Sequence, residues 1–108
     1  MFKINPDATF KAVVKITVPG ADQKGIEFEF KHKTRSGMGE WLKNIAGKND
    51  AEVSGEFIVG WSGVISETGD EIPFSFDAFE RLCENYPAAA VEIMNGYIKA
   101  LMESRTKN

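Results

Sequence analysis

Residues 10–33, FKAVVKITVPGADQKGIEFEFKHK, contain two runs of alternating apolar and polar side chains. The first run places Phe10 and Val14 on one side, and the second run does the same with Phe28 and Phe30. A period of two is typical of a strand with one buried face, and the intervening PGADQKG is typical of a turn. The stretch therefore predicts an antiparallel β-hairpin with one apolar face.

Helices are predicted downstream of the hairpin, which needs them because two strands with one apolar face are not stable alone. The first is predicted over residues 36–46, with Trp41 on its apolar face and Gly47 as its stop. The second is predicted to begin at Asn49 or Asp50, since Glu52 stands in the capping-box relation to Asn49.

The segment FIVGWSGV, residues 57–64, is the ambiguous part of the chain. Its composition suits a strand, but Val53, Phe57 and Trp61 recur at helical spacing after the predicted cap. This periodicity favours a continued helix over a strand. Residues 57–82 are then predicted to join two helices, with bends permitted by three glycines, Gly60, Gly63 and Gly69.

Two more helices are predicted near the end of the sequence. Ser75 is the predicted N-cap of the third, with Asp77 in its first turn and Phe74 packed against Phe79. Pro87 separates it from a fourth helix over residues 88–103, near whose negative end lie Arg105 and Lys107. The apolar stripe of this last helix is Ala90, Ile93, Met94, Tyr97, Ile98, Leu101 and Met102.

These elements predict an α+β fold in which an N-terminal antiparallel β-hairpin or small sheet packs against about four C-terminal helices. The 108 residues, 43% of them apolar, suffice for a core and predict one domain over residues 1–108. The single cysteine, Cys83, and a start that does not resemble a signal peptide indicate a reducing cytoplasm. No apolar run is long enough to predict a membrane span.

Charge is unevenly distributed along the chain. Residues 1–48 carry nine Lys or Arg against five Asp or Glu, a formal +4, and residues 49–108 carry four against eleven, a formal −7. The lysines of the basic half are spread out rather than clustered, which argues against nucleic-acid binding. The asymmetry instead suggests head-to-tail association of copies, basic hairpin against acidic helices, that weakens with salt.

The sequence contains little that suggests catalysis. Gly63 follows Ser62 one position too early for a nucleophile elbow, and His32 and Cys83 each stand alone in sequence. The carboxylate pairs Glu52 with Glu56 and Glu80 with Glu84 lack a metal-binding histidine partner. No phosphate-binding or zinc motif occurs, so neither a cofactor nor a metal is predicted.

Aromatic residues are the other candidates for function, because Trp and Tyr are enriched as anchors at protein interfaces. For each of them packing in the core is the favoured interpretation. The residues in question are Trp41, Trp61, Phe74, Tyr86 and Tyr97.

The order of these features resembles the tail assembly chaperones of long-tailed bacteriophages over roughly residues 10–103. The resemblance rests on a W-x-G-V stretch (Trp61, Gly63, Val64), a P-F-S helix start (Pro73, Phe74, Ser75) and a Tyr86-Pro87 helix break. It implies a non-enzymatic protein of the host cytoplasm that keeps the tape measure protein soluble, helps recruit tail tube subunits and is absent from the mature particle. Some members also exist as a longer, frameshifted product.

A chaperone of this kind needs an accessible apolar groove for an amphipathic helix. We expect the groove between the last two helices, where methionine side chains adapt to varied partners. The predicted partner-binding residues are Met94, Tyr97, Ile98, Leu101 and Met102. Two alternatives are a structural tail component, such as a tube or connector subunit, and a small enzyme, which would need a cleft with a perturbed carboxylate or His32.

Overall fold

A computed structural model describes the backbone of residues 1–103 and the side chains of all of these except residues 50 and 51. The predicted positions Arg105 and Lys107 lie outside the described residues. The α+β prediction is confirmed: a three-stranded antiparallel sheet is combined with four helices. The elements are β1 (Thr9–Ile16), β2 (Lys24–Lys31), α1 (Arg35–Asn44), α2 (Asp50–Phe57), β3 (Ile58–Ser62), α3 (Phe76–Asn85) and α4 (Ala89–Met102).

The predicted hairpin forms as β1 and β2, which pair antiparallel from Thr9 opposite Lys31 to Ile16 opposite Lys24. On the inner face, Phe10 and Ala12 are half-buried, and the fully buried side chains are Val14, Ile16, Ile26, Phe28 and Phe30. The other face carries Lys11, Val13, Lys15 and Glu27, all exposed. Alternation along the chain thus translates directly into a sheet with one covered and one open face.

The predicted continuation of the second helix through residues 57–64 is wrong. The helix ends at Phe57, and β3 follows immediately and pairs with the open edge of β2, placing Trp61 opposite Phe28. Val53 and Phe57 point into the core from α2, and Trp61 does so from β3. A continued helix and a helix followed by a strand would therefore bury the same three side chains. Strand pairing prevails because Ile58 and Val59 are β-branched and Gly60 weakens a helix.

The segment between β3 and α3 is a small hairpin of its own. Ile65 bridges Glu71, Ile72 N–H donates to Val64 C=O at 2.8 Å, and the Trp61 indole N–H donates to Ile72 C=O at 2.8 Å. Gly63 and Gly69 have φ values of 91° and 88°, in the left-handed region. Gly60, predicted to permit a bend, instead lies within β3.

The helix starts follow the predicted capping residues. Asn49 and Glu52 form the reciprocal capping box of α2, and the Ser75 hydroxyl accepts from the Ala78 N–H at the start of α3. The ring of Phe74 packs edge-on against Phe79 with centroids 6.2 Å apart. Both predicted caps are therefore confirmed. Each supplies a hydrogen-bond acceptor to backbone N–H groups in the first turn, which have no partner within the helix.

The C-terminus of α2 is held by lysines from outside the helix. Lys31 Nζ donates to Gly55 C=O at 3.1 Å, and Lys33 Nζ donates to Glu56 C=O at 3.0 Å. The last carbonyls of a helix lack internal partners and carry partial negative charge, which ammonium groups neutralise. The end of β2 thereby fixes the position where α2 turns into β3.

Helix α4 lies against the inner face of β1. A Cβ on Gly96 would lie 2.8 Å from Val14 Cγ2, so the glycine allows helix and strand to approach closely. Nearer the start of α4, the Glu92 carboxylate accepts hydrogen bonds from the backbone N–H and the hydroxyl of Thr17. These contacts hold α4 across the sheet.

The core centres on Tyr97 of α4, which is fully buried. Its ring centroid lies 4.7 to 6.2 Å from four aromatic rings supplied by β1, β2, α1 and α2. Those rings are Phe10, Phe30, Trp41 and Phe57. The Tyr97 hydroxyl donates to the Lys31 C=O at 2.7 Å, which gives its one polar atom a partner inside the core.

Replacing Gly96 by alanine should destabilise the fold. The added Cβ would meet Val14 Cγ2 at 2.8 Å, and overpacking of this kind typically costs about 1–3 kcal/mol. We expect Gly96→Ala to lower the free energy of unfolding in urea by that amount. Gly39→Ala in α1 is the control, because nothing lies within 4 Å of its Cβ position and alanine favours helices. Equal effects of the two substitutions would contradict the close packing.

Alkaline pH should destabilise the protein through Tyr97. Burial raises the pKa of Tyr97 to about 12, whereas the pKa of a tyrosine in an unfolded chain is about 10. Between these values the unfolded chain loses a proton that the folded chain keeps, so stability falls as pH rises. This group alone should remove about 1.4 kcal/mol per pH unit over that window, with its full contribution present below pH ~10.

The Tyr97→Phe variant provides the measurement, made as the free energy of urea unfolding against pH. At neutral pH we expect a loss of about 1 kcal/mol, because the Lys31 carbonyl loses its donor. Above pH ~10 the variant should lose stability less steeply than the wild type. Tyr86→Phe, which leaves Tyr97 in place, should keep the steeper fall. Parallel curves for wild type and Tyr97→Phe would refute the assignment.

Candidate partner-binding surface

The five predicted binding residues on α4 fall into different environments. Tyr97 is inside the core, so its side chain does not reach the surface. Met94, Ile98 and Leu101 are half-buried, and Met102 is 66% exposed. Helical geometry places these four residues, Met94, Ile98, Leu101 and Met102, on one flank of α4. This flank lies next to the buried face that carries Tyr97. Whether any of the five contacts a partner stays a prediction.

An exposed apolar residue that was not predicted extends this flank toward the start of α4. Val91 is 63% exposed and precedes Met94 by three residues, so it lies one turn along the same flank. The sequence contained the signal, since positions 91, 94, 98 and 102 follow the i, i+3, i+7, i+11 pattern. We call these four residues together with Leu101 the helix stripe; its members are Val91, Met94, Ile98, Leu101 and Met102.

A groove of about 270 Å³ runs beside the first part of the helix stripe. One wall is formed by Val91, Met94 and Asn95 of α4, and the opposite wall by Ile45 and Lys48 after α1. Its floor consists of apolar side chains from α2, α3 and α4, namely Val53, Phe57, Phe79 and Ala90. We call it the helix groove. The sequence analysis expected a binding groove between α3 and α4. Here α3 contributes Phe79 to the lining, and of the predicted residues Met94 lies in it. That this groove binds a partner stays a prediction.

Charged groups fix the wall opposite α4. The carboxylate of Glu56 accepts from the Trp41 indole N–H at 2.9 Å and forms an ion pair with Lys48. The hydrogen bond from Lys48, with that from Trp41, lowers the pKa of Glu56. The Lys33 ammonium lies 5.2 Å from the centre of the Trp41 ring, and burial lowers its pKa. The network holds the end of α1 in place beside the helix groove.

The residues considered for catalysis are dispersed or have structural partners. Glu52 caps α2, and Glu56 is bound to Trp41 and Lys48. His32 is exposed just beyond β2, whereas Cys83 is half-buried on α3. Among the described side chains, those of residues 1–49 and 52–103, no group of three His, Cys, Asp or Glu is arranged to hold a metal ion. In the same residues, no helix is both long and apolar enough to cross a bilayer.

The surface that these residues form is chemically simple. It offers exposed methyl and thioether groups along about three turns of helix, beside a concave apolar groove whose rim carries one ammonium group and one amide. Such a surface binds by burying apolar area, which favours another amphipathic helix. The arrangement is suited to recognition of a protein.

Comparison with known proteins gives one family. The family model described as phage tail assembly chaperone matches residues 1–108, the whole sequence. Neither the curated proteins nor the solved structures searched gave a significant match. The fold described above, a small sheet covered by helices with an exposed apolar stripe, is compatible with a protein that binds other proteins. Because the family match spans the entire chain, the protein belongs to the phage tail assembly chaperone family.

Proposed function

We propose that this protein binds the tape measure protein of its phage or prophage, keeps it soluble and helps recruit tail tube subunits around it. It acts in the host cytoplasm during assembly, without catalysis, and is left out of the mature particle. Membership of the tail assembly chaperone family supports this role in general. The helix stripe beside the helix groove is the single observation that carries the specific claim about binding.

The length of the helix stripe defines the kind of segment that fits. From position 91 to position 102 a helix rises roughly 17 Å, or about three turns. A partner helix lying along it would bury side chains spaced at i, i+3 or i+4, and i+7. The expected recognition element is therefore an amphipathic helical segment of three to four turns, with its apolar face on the helix groove.

The side chains of the helix stripe favour binding of partner segments with varied sequences rather than of one specific sequence. Met94 and Met102 are unbranched and polarizable, so they adapt to apolar partners of different shapes. The remaining members, Val91, Ile98 and Leu101, add area without polar atoms that demand a specific hydrogen-bond partner. A protein that binds many successive segments of one long helical partner benefits from such a surface.

The role can be tested by co-expression with the tape measure protein of the same genome, followed by affinity purification. We expect the tape measure protein to stay in the soluble fraction and to co-purify. If it precipitates while this chain forms uniform rings or tubes and is found in purified particles, the protein is a structural tail component instead.

Substitutions at the exposed ends of the helix stripe should weaken this binding without unfolding the protein. Val91→Lys with Met102→Lys changes two side chains that are 63% and 66% exposed. Each loss of apolar contact is worth about 1 kcal/mol, so affinity for the tape measure protein should fall at least about tenfold. The amount of soluble tape measure protein per copy of the chaperone gives the readout.

The matched control introduces the same charges elsewhere. Val13→Lys with Val59→Lys changes two exposed valines in the sheet, outside the helix stripe, and adds the same two charges. This variant should bind as the wild type does. Equal loss in both double variants would mean that added charge, not the helix stripe, governs binding.

A further inference from the structure

Strand β1 lies at an edge of the sheet. The strand order is β1-β2-β3, so β1 has a strand neighbour on one side only. His32 N–H donates to Ala8 C=O at 2.9 Å, in the same register that places Thr9 opposite Lys31. Because alternate pairs of an antiparallel ladder exchange hydrogen bonds, the even-numbered residues of β1 bond to β2. Its odd-numbered residues direct their N–H and C=O groups to the free edge.

Three successive odd-numbered residues leave this edge open. They are Lys11, Val13 and Lys15, all exposed. Within residues 1–103, no hydrogen bond outside the β1–β2 ladder reaches their backbone groups. The next outward N–H group, that of Thr17, donates to the Glu92 carboxylate at 2.8 Å. An oxygen from α4 thus binds at Thr17 as the carbonyl oxygen of a fourth strand would bind at residues 11–15.

A groove of about 1000 Å³ runs between this edge and α4. One wall is β1 from Phe10 to Lys15, and the other is a flank of α4 that does not carry the helix stripe. Ala12, Gly96 and Ala100 in its lining are small and half-buried, which leaves room for side chains of an added strand. We call it the edge groove. Its residues on α4 are Glu92, Asn95, Gly96, Lys99, Ala100 and Glu103.

We propose that the edge groove binds an extended, acidic segment of a partner protein, which joins the sheet as a fourth strand beside β1. Two carboxylates of the segment, four residues apart, lie opposite Lys11 and Lys15, and a β-branched residue midway between them lies opposite Val13. The two residues in between are apolar and point toward Ala12 and Ala100. This occupant differs from the amphipathic helix proposed for the helix groove, so the inference does not rest on binding of the tape measure protein.

The lysines of the edge select this occupant. Lys11 and Lys15 project from the open face of the sheet, and neither has an ion-pair partner among the described side chains. Residues directly opposite each other on neighbouring strands attract when their charges are opposite and repel when they are alike. Lysines on an edge strand therefore discourage pairing with strands that lack acidic residues. A second copy is disfavoured, because two antiparallel β1 strands centred on Val13 would place Lys11 opposite Lys15.

The first test is fluorescence anisotropy with a labelled synthetic peptide, GSEVTVESG, titrated with the full chain. Its two glutamates are four residues apart with threonine midway, as the edge groove requires. We expect binding with a Kd on the order of 0.1 mM. The peptide GSVEETVSG has the same composition but adjacent carboxylates, so it should bind at least about tenfold more weakly. No binding of the first peptide, or equal binding of both, overturns the proposal.

Exchanging the charges tests the role of the lysines. Lys11→Glu with Lys15→Glu should weaken binding of GSEVTVESG at least about tenfold and should create binding of the peptide GSKVTVKSG. Binding gained by the second peptide also shows that the variant is folded. The matched control reverses two exposed charges outside the edge groove, Arg35→Glu with Arg81→Glu, and should leave the preference for GSEVTVESG unchanged. Variants that do not exchange their peptide preference overturn the assignment.

Amide hydrogen exchange, read residue by residue by NMR, tests the backbone contact. Saturation with GSEVTVESG should slow exchange at Lys11, Val13 and Lys15, whose N–H groups gain acceptors, and change little at Ala12 and Val14, which already bond to β2. The peptide GSEVPVESG lacks the central N–H that Val13 C=O would accept, so it should bind at least about tenfold more weakly. Binding without slower exchange at the three odd-numbered positions overturns strand addition.

The variant Val91→Lys with Met102→Lys separates this site from the helix groove. It should bind GSEVTVESG as tightly as the wild type does, because neither residue lines the edge groove. A loss of tape measure binding in this variant with peptide binding intact would show two independent surfaces. Loss of peptide binding in the same variant would overturn the location proposed for the segment.

Discussion

The contact of the Tyr97 ring with four other aromatic rings holds the two layers of this protein together. A three-stranded sheet with one open and one apolar face cannot persist without cover, and α4 supplies that cover through Tyr97. Its hydroxyl binds the Lys31 carbonyl, at the same strand end whose lysine side chain reaches the C-terminus of α2. Sheet, α2 and α4 are thus positioned by neighbouring groups at one end of β2.

The packing of α4 on the sheet determines which of its apolar side chains remain exposed. Its apolar residues cover a broader arc than the sheet can bury, because Tyr97 and Ile93 fill the contact while the flank from Val91 to Met102 remains partly in water. A helix that only stabilised the fold would carry polar residues on that flank. The surplus apolar surface, beside a concave groove, is the basis of our proposal that the protein binds a helical partner.

Much of this arrangement follows from local sequence signals. The hairpin, the caps at Asn49 and Ser75, and the stripe of α4 were predictable, because alternation and capping act within a few residues. The strand at residues 58–62 was not, because the spacing of Val53, Phe57 and Trp61 suits a helix and a strand equally. Pairing with the open edge of β2, together with the residue types at positions 58–60, decides between them. Periodicity also grouped Tyr97 with Met102, since it identifies an apolar face but not how far the sheet covers it.

The most direct test of the central claim is photo-crosslinking in cells that co-express the tape measure protein. A crosslinking amino acid placed at position 91, on the helix stripe, should form a covalent adduct with the tape measure protein. The same group at position 13, on the open face of the sheet, should not. Adducts from position 13 but not from position 91 would contradict the account, because they would place the partner at the sheet instead of on the helix stripe.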